Sequence, residues 1–342
     1  MIKIKEVAEL AGVAPSSVSR ALNDHPDVSP EMKARVVAAA QQLGYQPNFL
    51  AQSLRSGATR TIGFIVRDIS IPLFAGIVKG AEQELESHGY SILLTNSLQD
   101  AKLEARHIEV LRQRRVDGLI LSLQSEASTQ TLSALHKVQV PVVLLDRELP
   151  GFAVDSVLFD HATGVHEAVS ALLQLGHRRI ALLVGSAETR ATRNRIQGFA
   201  LAHENAGVPV SHENVIELGV TTSDAATVAV ARLLDLASPP TAVVAGEVQI
   251  GIAVLRELRS RGLRPGRDLS IVICDDHELF RVMDPPVSVV SRDPVEMGTI
   301  AAQLLLKRLA DGAAPPACEL LPTTFLPRST TSAPAGAEVP LV

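Results

Sequence analysis

The chain has 342 residues, of which 46% are hydrophobic and 20% are charged, and its formal net charge is −5. This composition is typical of a globular protein of two or three domains, and it argues against a disordered chain and against nonspecific nucleic-acid binding. Six basic and five acidic side chains give residues 1–57 a net charge of +1. Any affinity of this segment for phosphate would depend on where its charges lie, and we expect it to fall steeply with salt.

Cysteine usage and the N-terminus indicate the compartment. Cys274 and Cys318 are the two cysteines, and neither has metal-ligand spacing around it, which is typical of a reduced protein. The N-terminus is not a basic stub followed by an apolar run, and no apolar stretch reaches membrane-spanning length. We therefore expect a cytoplasmic protein with no metal, no cofactor and no membrane partner.

Two short helices and a tight turn are predicted at the N-terminus. The first runs from about Ile4 to Ala11, because its apolar residues recur on one helical face, and Gly12 supplies the backbone freedom for the turn. Pro15 begins the second helix. The outward residues of this second helix are small and polar: Ser16, Ser17, Ser19 and Arg20, with Asn23 at its end. Serine can bond phosphate or base edges and arginine can bind guanine, so the pair predicts a helix-turn-helix, with an ordinary surface helix pair as the alternative.

A third helix and a short linker follow. Ser29 and Pro30 are expected to cap and start a helix that continues to Leu43, and Gly44 ends it. Residues 47–57 start with proline, end with glycine and span only two turns, and an isolated helix that short is unstable in water. We expect this segment either to fold only when it is supported or to be a plain interdomain linker.

From Thr61 onward, short apolar strands alternate with helical stretches, which predicts parallel sheets covered by helices on both faces. The strands exceed one comfortable sheet, so we expect two similar lobes divided near Asp160. The predicted strands are Thr61 to Val66, Ser91 to Thr95, Gly118 to Leu121, Val142 to Leu145, Ile180 to Val184, Ala242 to Ala245 and Ser270 to Cys274. The predicted helices include Phe74 to His88, His161 to Leu175 and Arg195 to Ala206. Histidines such as His161, His166 and His177 are expected to be surface or capping groups.

Polar groups at several strand ends predict a ligand site, because ligands of open α/β folds lie beyond the carboxyl ends of the strands. A single strand-end aspartate is often only a helix cap, so the prediction rests on the convergence of four loops. These loops contain Asp68, Ser70 and Phe74; Asp146 and Arg147; residues 188–195; and Asp275.

Many short motifs, in order, resemble the LacI/GalR family of bacterial transcription regulators. They are IKEVAELAGVAPSSVSRALND, VSPEMKARVVAAAQQLGYQPNFLAQSLRSG, DISIPLF, DRELPG, LGHRRIALLVG and PRST. The resemblance implies an α/β fold: a two-lobed periplasmic-binding-protein-like core behind an all-α helix-turn-helix domain. The implied domains are a headpiece (1–46), a hinge helix (47–58) and a core (59–328). The tail from Ser329 onward (329–342) is rich in Thr, Ala and Pro, a composition that predicts disorder. Within the core, the N-lobe is about 59–159 plus 290–321, and the C-lobe is about 160–289 plus 322–328.

The resemblance also implies functional residues. Two hinge helices would pair across a dimer in the minor groove and wedge a leucine between base steps, and Leu54 matches that leucine. The expected DNA-binding residues are Lys5, Ser16, Ser17, Ser19, Arg20, Asn23, Asn48, Ala51, Leu54 and Arg55. Phe74, Asp146, Arg195 and Asp275 match effector contacts in the family. The expected effector-binding residues are these four with Ser70, Arg193, Thr221 and Glu247.

The chain departs from its sugar-binding relatives in ways that bear on the effector. It has Gly219-Val220-Thr221-Thr222 in place of an aromatic loop, Gly246-Glu247 in place of an Asn-Asp pair, Ile273-Cys274 before the last aspartate, and no Trp. A stacked pyranose would lose its usual platform. Arg190, Arg193 and Arg195 are expected to cluster in one loop, which would suit a carboxylate or phosphate. We therefore hypothesise an acidic effector, such as a sugar acid or hydroxy acid.

The sequence thus predicts a sequence-specific DNA-binding regulator, expected to repress, that binds a palindromic operator in double-stranded DNA as a homodimer. A small-molecule effector between the lobes, a sugar or an organic or sugar acid, would control it by a population shift. The operator sequence, the sign of the effector's action and a tetrameric assembly stay open. A solute-binding protein for transport is the alternative. The sequence contains no phosphate-binding loop, no nucleophile elbow and no metal-ligand spacing, so we expect a protein that is not an enzyme.

Overall fold

The computed structural model describes residues 2–22, 25, 27–45, 57–219 and 223–334. The chain divides into two compact units, residues 1–59 and residues 60–342. Each unit has its own buried apolar core. None of the described helices is long and apolar enough to cross a membrane.

The described residues of the first unit form three helices. They are α1 (Ile4–Ala11), α2 (Pro15–Leu22) and α3 (Pro30–Leu43). Val7, Val18 and Val36 are completely buried where the three helices meet. Gly12 and Gly44 end α1 and α3 with a φ of +63° each, a left-handed conformation that glycine adopts at little cost. The three helices predicted from the sequence are confirmed.

The second unit contains two six-stranded sheets, which we call the N-lobe sheet and the C-lobe sheet. The N-lobe sheet has the order β11-β5-β4-β3-β1-β2, and the C-lobe sheet has the order β12-β10-β9-β8-β6-β7. All their ladders are parallel except that between β10 and β12. The alternation of strands and helices that the sequence predicts is confirmed.

The elements of the second unit follow in chain order. Up to the first crossing between the lobes they are β1 (Thr61–Val66), α4 (Pro72–Ser87), β2 (Ser91–Asn96), α5 (Ala101–Gln113), β3 (Gly118–Leu121), α6 (Thr129–Leu135), β4 (Val142–Leu145) and β5 (Asp155–Phe159). In the C-lobe they are α7 (His161–Gln174), β6 (Ile180–Val184), α8 (Arg190–Asn205), a 3-10 turn (His212–Asn214), β7 (Val215–Glu217), α9 (Ser223–Leu234), β8 (Ala242–Ala245), α10 (Val248–Ser260), β9 (Ser270–Cys274), α11 (Glu278–Val282) and β10 (Ser288–Ser291). After the second crossing come α12 (Pro294–Ala310), β11 (Cys318–Leu321) and β12 (Thr324–Leu326).

The chain passes between the lobes three times: at Asp160, at residues 292–293 and at residues 322–323. Val290 pairs with Cys274 inside the C-lobe sheet, so the second crossing falls at Arg292, slightly beyond the expected position near 290. The crossing segments are bonded together, since the Thr323 hydroxyl donates to the Asp160 carbonyl (2.6 Å) and accepts from the Gly164 N–H (3.1 Å).

The predicted disorder from Ser329 onward is wrong for residues 329–334. The Thr330 side chain is completely buried, where its hydroxyl accepts from the Ser288 N–H and donates to the Ile271 carbonyl, both at 2.8 Å. Ser332 bonds Ser270 and the buried His177. The Thr330 hydroxyl satisfies backbone groups of β9 and β10, and Ser332 adds bonds through its own backbone, so this polar segment packs against the sheet. Residues 335–342 lie outside the described part of the chain.

Candidate functional site

The first unit presents one face of α2 to solvent. Ser16 and Arg20 are exposed on it, Ser17 and Ser19 are half-buried, and Lys5 is exposed on α1. Val18 and Ala21 are buried on the opposite face and fix the helix against α1 and α3. The other predicted DNA-binding residues lie outside the described part of the chain: Asn23, Asn48, Ala51, Leu54 and Arg55.

A small cavity of about 40 Å³ lies in the second unit, where loops that follow strands of both sheets meet. It is lined by Arg67, Ile71, Leu73, Phe74, Asp146, Arg147, Thr189, Ala191, Arg195, Glu247, Val248, Gln249, Asp275 and Arg292. Five predicted effector-binding residues are among them: Phe74, Asp146, Arg195, Glu247 and Asp275. Roughly three water molecules fill such a volume, whereas small-molecule sites usually measure about 300 Å³ or more. A ligand of sugar size therefore requires the lobes to separate.

Arg292 holds the two lobes together inside this cavity. Its Nε and Nη2 both donate to the carboxylate of Asp275 at the end of β9, the second bond at 2.9 Å. Its Nη1 donates to Asp146 Oδ2 at the end of β4, at 3.1 Å. Its guanidinium also lies 4.8 Å from the centre of the Phe159 ring. One arginine on the second crossing thus links the strand ends of both sheets.

The two aspartates occupy equivalent positions with unusual backbones. Asp146 follows β4 with a φ of +55°, and Asp275 follows β9 with a φ of +82°. Aspartate tolerates this left-handed region better than most residues, yet it still costs free energy. Both carboxylates accept charge-assisted hydrogen bonds from Arg292, which offset part of this cost.

His161 completes the network from the first crossing. Its Nε2 lies 2.8 Å from Asp146 Oδ2, and because a carboxylate only accepts hydrogen bonds, this nitrogen carries the proton. Burial lowers the pKa of His161 to about 4, against the attraction of Asp146 and with help from Arg195. Burial alone would raise the pKa of Asp146, but His161 and Arg292 hold it well below its ordinary value. His161 is therefore neutral and Asp146 is anionic at neutral pH. The expectation that His161 and His177 are surface or capping groups is wrong, since both are buried.

The arginines expected in one loop instead lie on the first turns of α8, and they point in different directions. Arg193 does not line the cavity, since it pairs with Glu126 of the N-lobe at 2.9 Å and is half exposed. Arg190 also reaches the N-lobe, donating to the Phe159 carbonyl (2.9 Å) and pairing with Glu148 (3.3 Å). Of the three, Arg195 alone lines the cavity, because residues two apart on a helix face opposite ways.

Two other predicted effector-binding residues lie elsewhere. Ser70 is exposed and bonds Asp68, with its hydroxyl 2.7 Å and its N–H 3.0 Å from Oδ1, so it forms a local turn outside the cavity. Thr221 lies outside the described residues.

Sequence reasoning missed two arginines of the cavity, Arg67 and Arg292, and it named Arg147 in a predicted site loop without counting it among the effector-binding residues. Arg67 comes directly after the predicted strand that ends at Val66, and that position could have indicated it. Arg292 follows β10, a four-residue strand that the hydrophobic pattern did not reveal.

Comparison with known proteins identifies the family. Residues 3–48 match "Bacterial regulatory proteins, lacI family", and residues 169–331 match "Periplasmic binding protein-like domain". The HTH-type transcriptional regulator DegA of Bacillus subtilis (strain 168) is 32% identical over 297 residues, covering 86% of this chain and 88% of that protein. The chain belongs to the lacI family of bacterial regulatory proteins. This lacI-family protein is accordingly a transcriptional regulator with a DNA-binding helix-turn-helix and an effector-binding core, and it is not an enzyme.

Two solved structures resemble this lacI-family regulator over almost its whole length. The lac repressor dimer bound to operator and the anti-inducer ONPF is 26% identical, with a TM-score of 0.85, and the match covers 97% of this chain and 99% of that one. The complex of the transcriptional regulator CelR with cellobiose is 30% identical, with a TM-score of 0.73, covering 96% and 100%. The resemblance predicted from sequence motifs is confirmed.

Proposed function

We propose that this regulator represses transcription by binding a palindromic operator as a homodimer, under the control of a sugar, sugar acid or related metabolite in the inter-lobe cavity. The observation that carries the proposal is the Arg292 link between the two lobes at the ends of β4 and β9. A ligand in this cavity changes the contacts between the lobes, so it binds open and closed forms with different affinity. Such a difference is what a ligand needs in order to shift a conformational equilibrium.

The charge of the first unit favours paired headpieces. Lys5 and Arg20 are exposed beside the serines of α2, but residues 1–57 carry a net charge of only +1. One headpiece therefore has little electrostatic affinity for phosphate, and two on adjacent half-sites would bind far more tightly. The hinge segment from Pro47 to Gly57 is proposed to join the DNA contact in the same complex, with Leu54 in the minor groove. We propose the cytoplasm as the location of the protein, because an operator would lie on the chromosome.

Exposed apolar side chains supply a surface for the second copy. On α11, Leu279 and Val282 are 61% and 74% exposed, one turn apart. In the N-lobe, Leu94 of β2 and the loop residues Ile69 and Leu98 are also exposed. Neighbouring exposed apolar side chains such as Leu279 and Val282 are typical of protein interfaces, and a two-fold axis would match the symmetry of a palindrome.

Arg20→Ala, compared with Arg35→Ala, tests the DNA-binding part. Both residues are exposed and both variants lose one positive charge, but Arg35 lies on α3 and not on the groove-reading helix. In a mobility-shift assay with DNA selected from genomic fragments, R20A should bind its specific site about 10- to 100-fold more weakly, the cost of one base contact. R35A should change specific and nonspecific binding alike by a small factor. Equal losses in the two variants, or specific affinity unchanged by R20A, would contradict the assignment.

A further inference from the structure

The cavity has more positive than negative side chains. Four arginines line it, Arg67, Arg147, Arg195 and Arg292, against three carboxylates, Asp146, Glu247 and Asp275. Two further carboxylates act on the arginines from outside the lining. Glu126 pairs with Arg193, and Glu104 accepts hydrogen bonds from the Gln124 N–H and the Thr131 hydroxyl while burial raises its pKa. The lining by itself thus carries one more positive than negative charge, while Glu126 and Glu104 act on its arginines from outside.

The aspartates that could accept hydrogen bonds from a sugar are already engaged. Asp275 receives two bonds from Arg292, and Asp146 receives bonds from Arg292 and His161. A neutral sugar presents many hydroxyl donors, and on these two carboxylates it would have to share the acceptor sites with Arg292 and His161. Glu247 is the one lining carboxylate outside the Arg292 network.

Two arginines, in contrast, have donors without acceptors. Arg195 is 3% exposed, and its buried Nε has no hydrogen-bond partner. The buried Nε of Arg67 has none either, while its guanidinium lies 5.4 Å from the centre of the Phe74 ring. A buried donor without an acceptor costs free energy, which an oxygen of a bound anion would recover.

The helices that begin at the cavity share a feature that favours an anion. The N-terminal ends of α4, α8 and α10 line it through Phe74, Ala191 and Val248, and none of these helices has a side-chain cap from its own N-cap residue. The N-cap residues of α5, α6, α7, α11 and α12 all provide one: Asp100, Ser128, Asp160, His277 and Asp293. Glu126 accepts a hydrogen bond from the first N–H of α8, which shows that this helix end attracts a carboxylate. Helix N-termini stabilise negative charge. The N-terminus of α8 already has the Glu126 carboxylate, and those of α4 and α10 have no side-chain cap from their N-cap residues.

We propose that the effector is a monoanionic hydroxy acid whose carboxylate is bound by Arg195 and Arg67. Its hydroxyl groups face Glu247, Gln249 and Thr189, three polar side chains of the lining that do not bond Arg292. This inference rests on the proposed function, since it specifies the ligand of the same cavity. The sequence predicted that Arg190, Arg193 and Arg195 in one loop would bind an acidic effector. The proposal instead assigns the carboxylate of the effector to Arg67 of the N-lobe and Arg195 of the C-lobe.

Pairs of acids and neutral parent sugars test the proposal on the full-length protein. Gluconate, galactonate, glucuronate and ribonate are each compared with glucose, galactose or ribose by thermal shift, and compounds that bind are titrated by calorimetry. At least one acid should bind while its neutral parent does not. Arg195→Gln and Arg67→Gln should each weaken that acid by about 10- to 100-fold, the usual cost of losing a hydrogen bond to a charged group.

Arg193→Gln is the matched control, because Arg193 lies on the same helix as Arg195 but pairs with Glu126 outside the cavity. It should bind the acid with wild-type affinity. Operator binding without any ligand is measured on every sample, which shows that each variant is folded and separates the two proposals. Binding of neutral sugars only, of no acid, or of acid equally well by R195Q and R67Q overturns the inference while the regulator assignment stands. Failure of the wild-type protein to bind operator DNA in this ligand-free assay and also in the presence of each compound would instead refute the proposed function.

Discussion

Replacing Arg292 by methionine would remove the link between the lobes and leave the carboxylates of Asp146 and Asp275 without their main partner. The Arg292 side chain is only 7% exposed, and it donates three hydrogen bonds to these carboxylates. Removing one partner of a buried ion pair typically costs about 3–5 kcal/mol, because the remaining charge stays desolvated. For a domain of this size, such a loss lowers the melting temperature by on the order of 10 °C.

Thermal unfolding of the purified variants measures this effect. The triple variant R292M/D146N/D275N removes the charges together, so it should recover most of the stability that R292M loses. Arg193→Met, which breaks the half-exposed pair with Glu126, is the control and should cost less than about 1 kcal/mol. If R292M melts within about 2 °C of the wild type, a shift worth less than 1 kcal/mol, or if the triple variant is no more stable than R292M, the network does not hold the lobes together.

Two further predictions concern stability. The unfolded chain protonates His161 near its ordinary pKa of 6.5, whereas burial lowers the pKa of His161 in the folded protein to about 4. The free energy of unfolding should therefore fall by roughly 3 kcal/mol as the pH is lowered from 6.5 to 4, because only the unfolded chain binds the proton in this range. His161→Gln should flatten this part of the stability curve, and an unchanged slope in urea titrations would contradict the assignment. Gly298 lies where a Cβ would be 1.9 Å from the Ile77 carbonyl oxygen, so Gly298→Ala should cost about 1–3 kcal/mol by forcing α12 away from α4. Gly312→Ala adds a Cβ 4.0 Å from its nearest neighbour; equal denaturation midpoints for the two glycine variants would show that the helix contact is not tight.

The three helices of the first unit and the principal strands of both lobes could be predicted because their signals are local. An apolar stripe at helical spacing, a glycine at a helix end and a short run of Val, Ile and Leu each act within a few residues. The strands that went unpredicted, such as β7, β10 and β12, have only three or four residues. Their pairing partners decide their conformation more than their own composition does.

The cavity could be predicted only in part, because its composition depends on which loops the sheets bring together. Asp146 and Asp275 stand directly after predicted strands, and that position placed them correctly. Arg193 was expected beside Arg195, yet once the segment is helical the two side chains diverge. Arg292 is far in sequence from Asp146, and only the second crossing of the chain brings the two together.

The polar segment after Ser329 shows a similar limit. Its serines, threonines and proline suggested disorder, because such a composition buries little apolar area. Thr330 and Ser332 nevertheless bond backbone and side-chain groups of β9 and β10. Composition alone does not reveal that polar groups of a segment will form hydrogen bonds with the strands of a distant sheet.

We propose that the separation of the two lobes controls the affinity of the protein for DNA. A cleavable crosslink between the lobes tests this coupling without knowledge of the effector. Ser125 Oγ of the N-lobe donates to Glu188 Oε2 of the C-lobe at 2.9 Å. Ser125→Cys and Glu188→Cys, with the exposed Cys318 replaced by serine, allow a short cleavable bismaleimide to lock the lobes together. Operator affinity should differ at least about fivefold between the locked protein and the same sample after cleavage, the lower end of usual coupling between sites. Equal affinity in the two samples would contradict the claim.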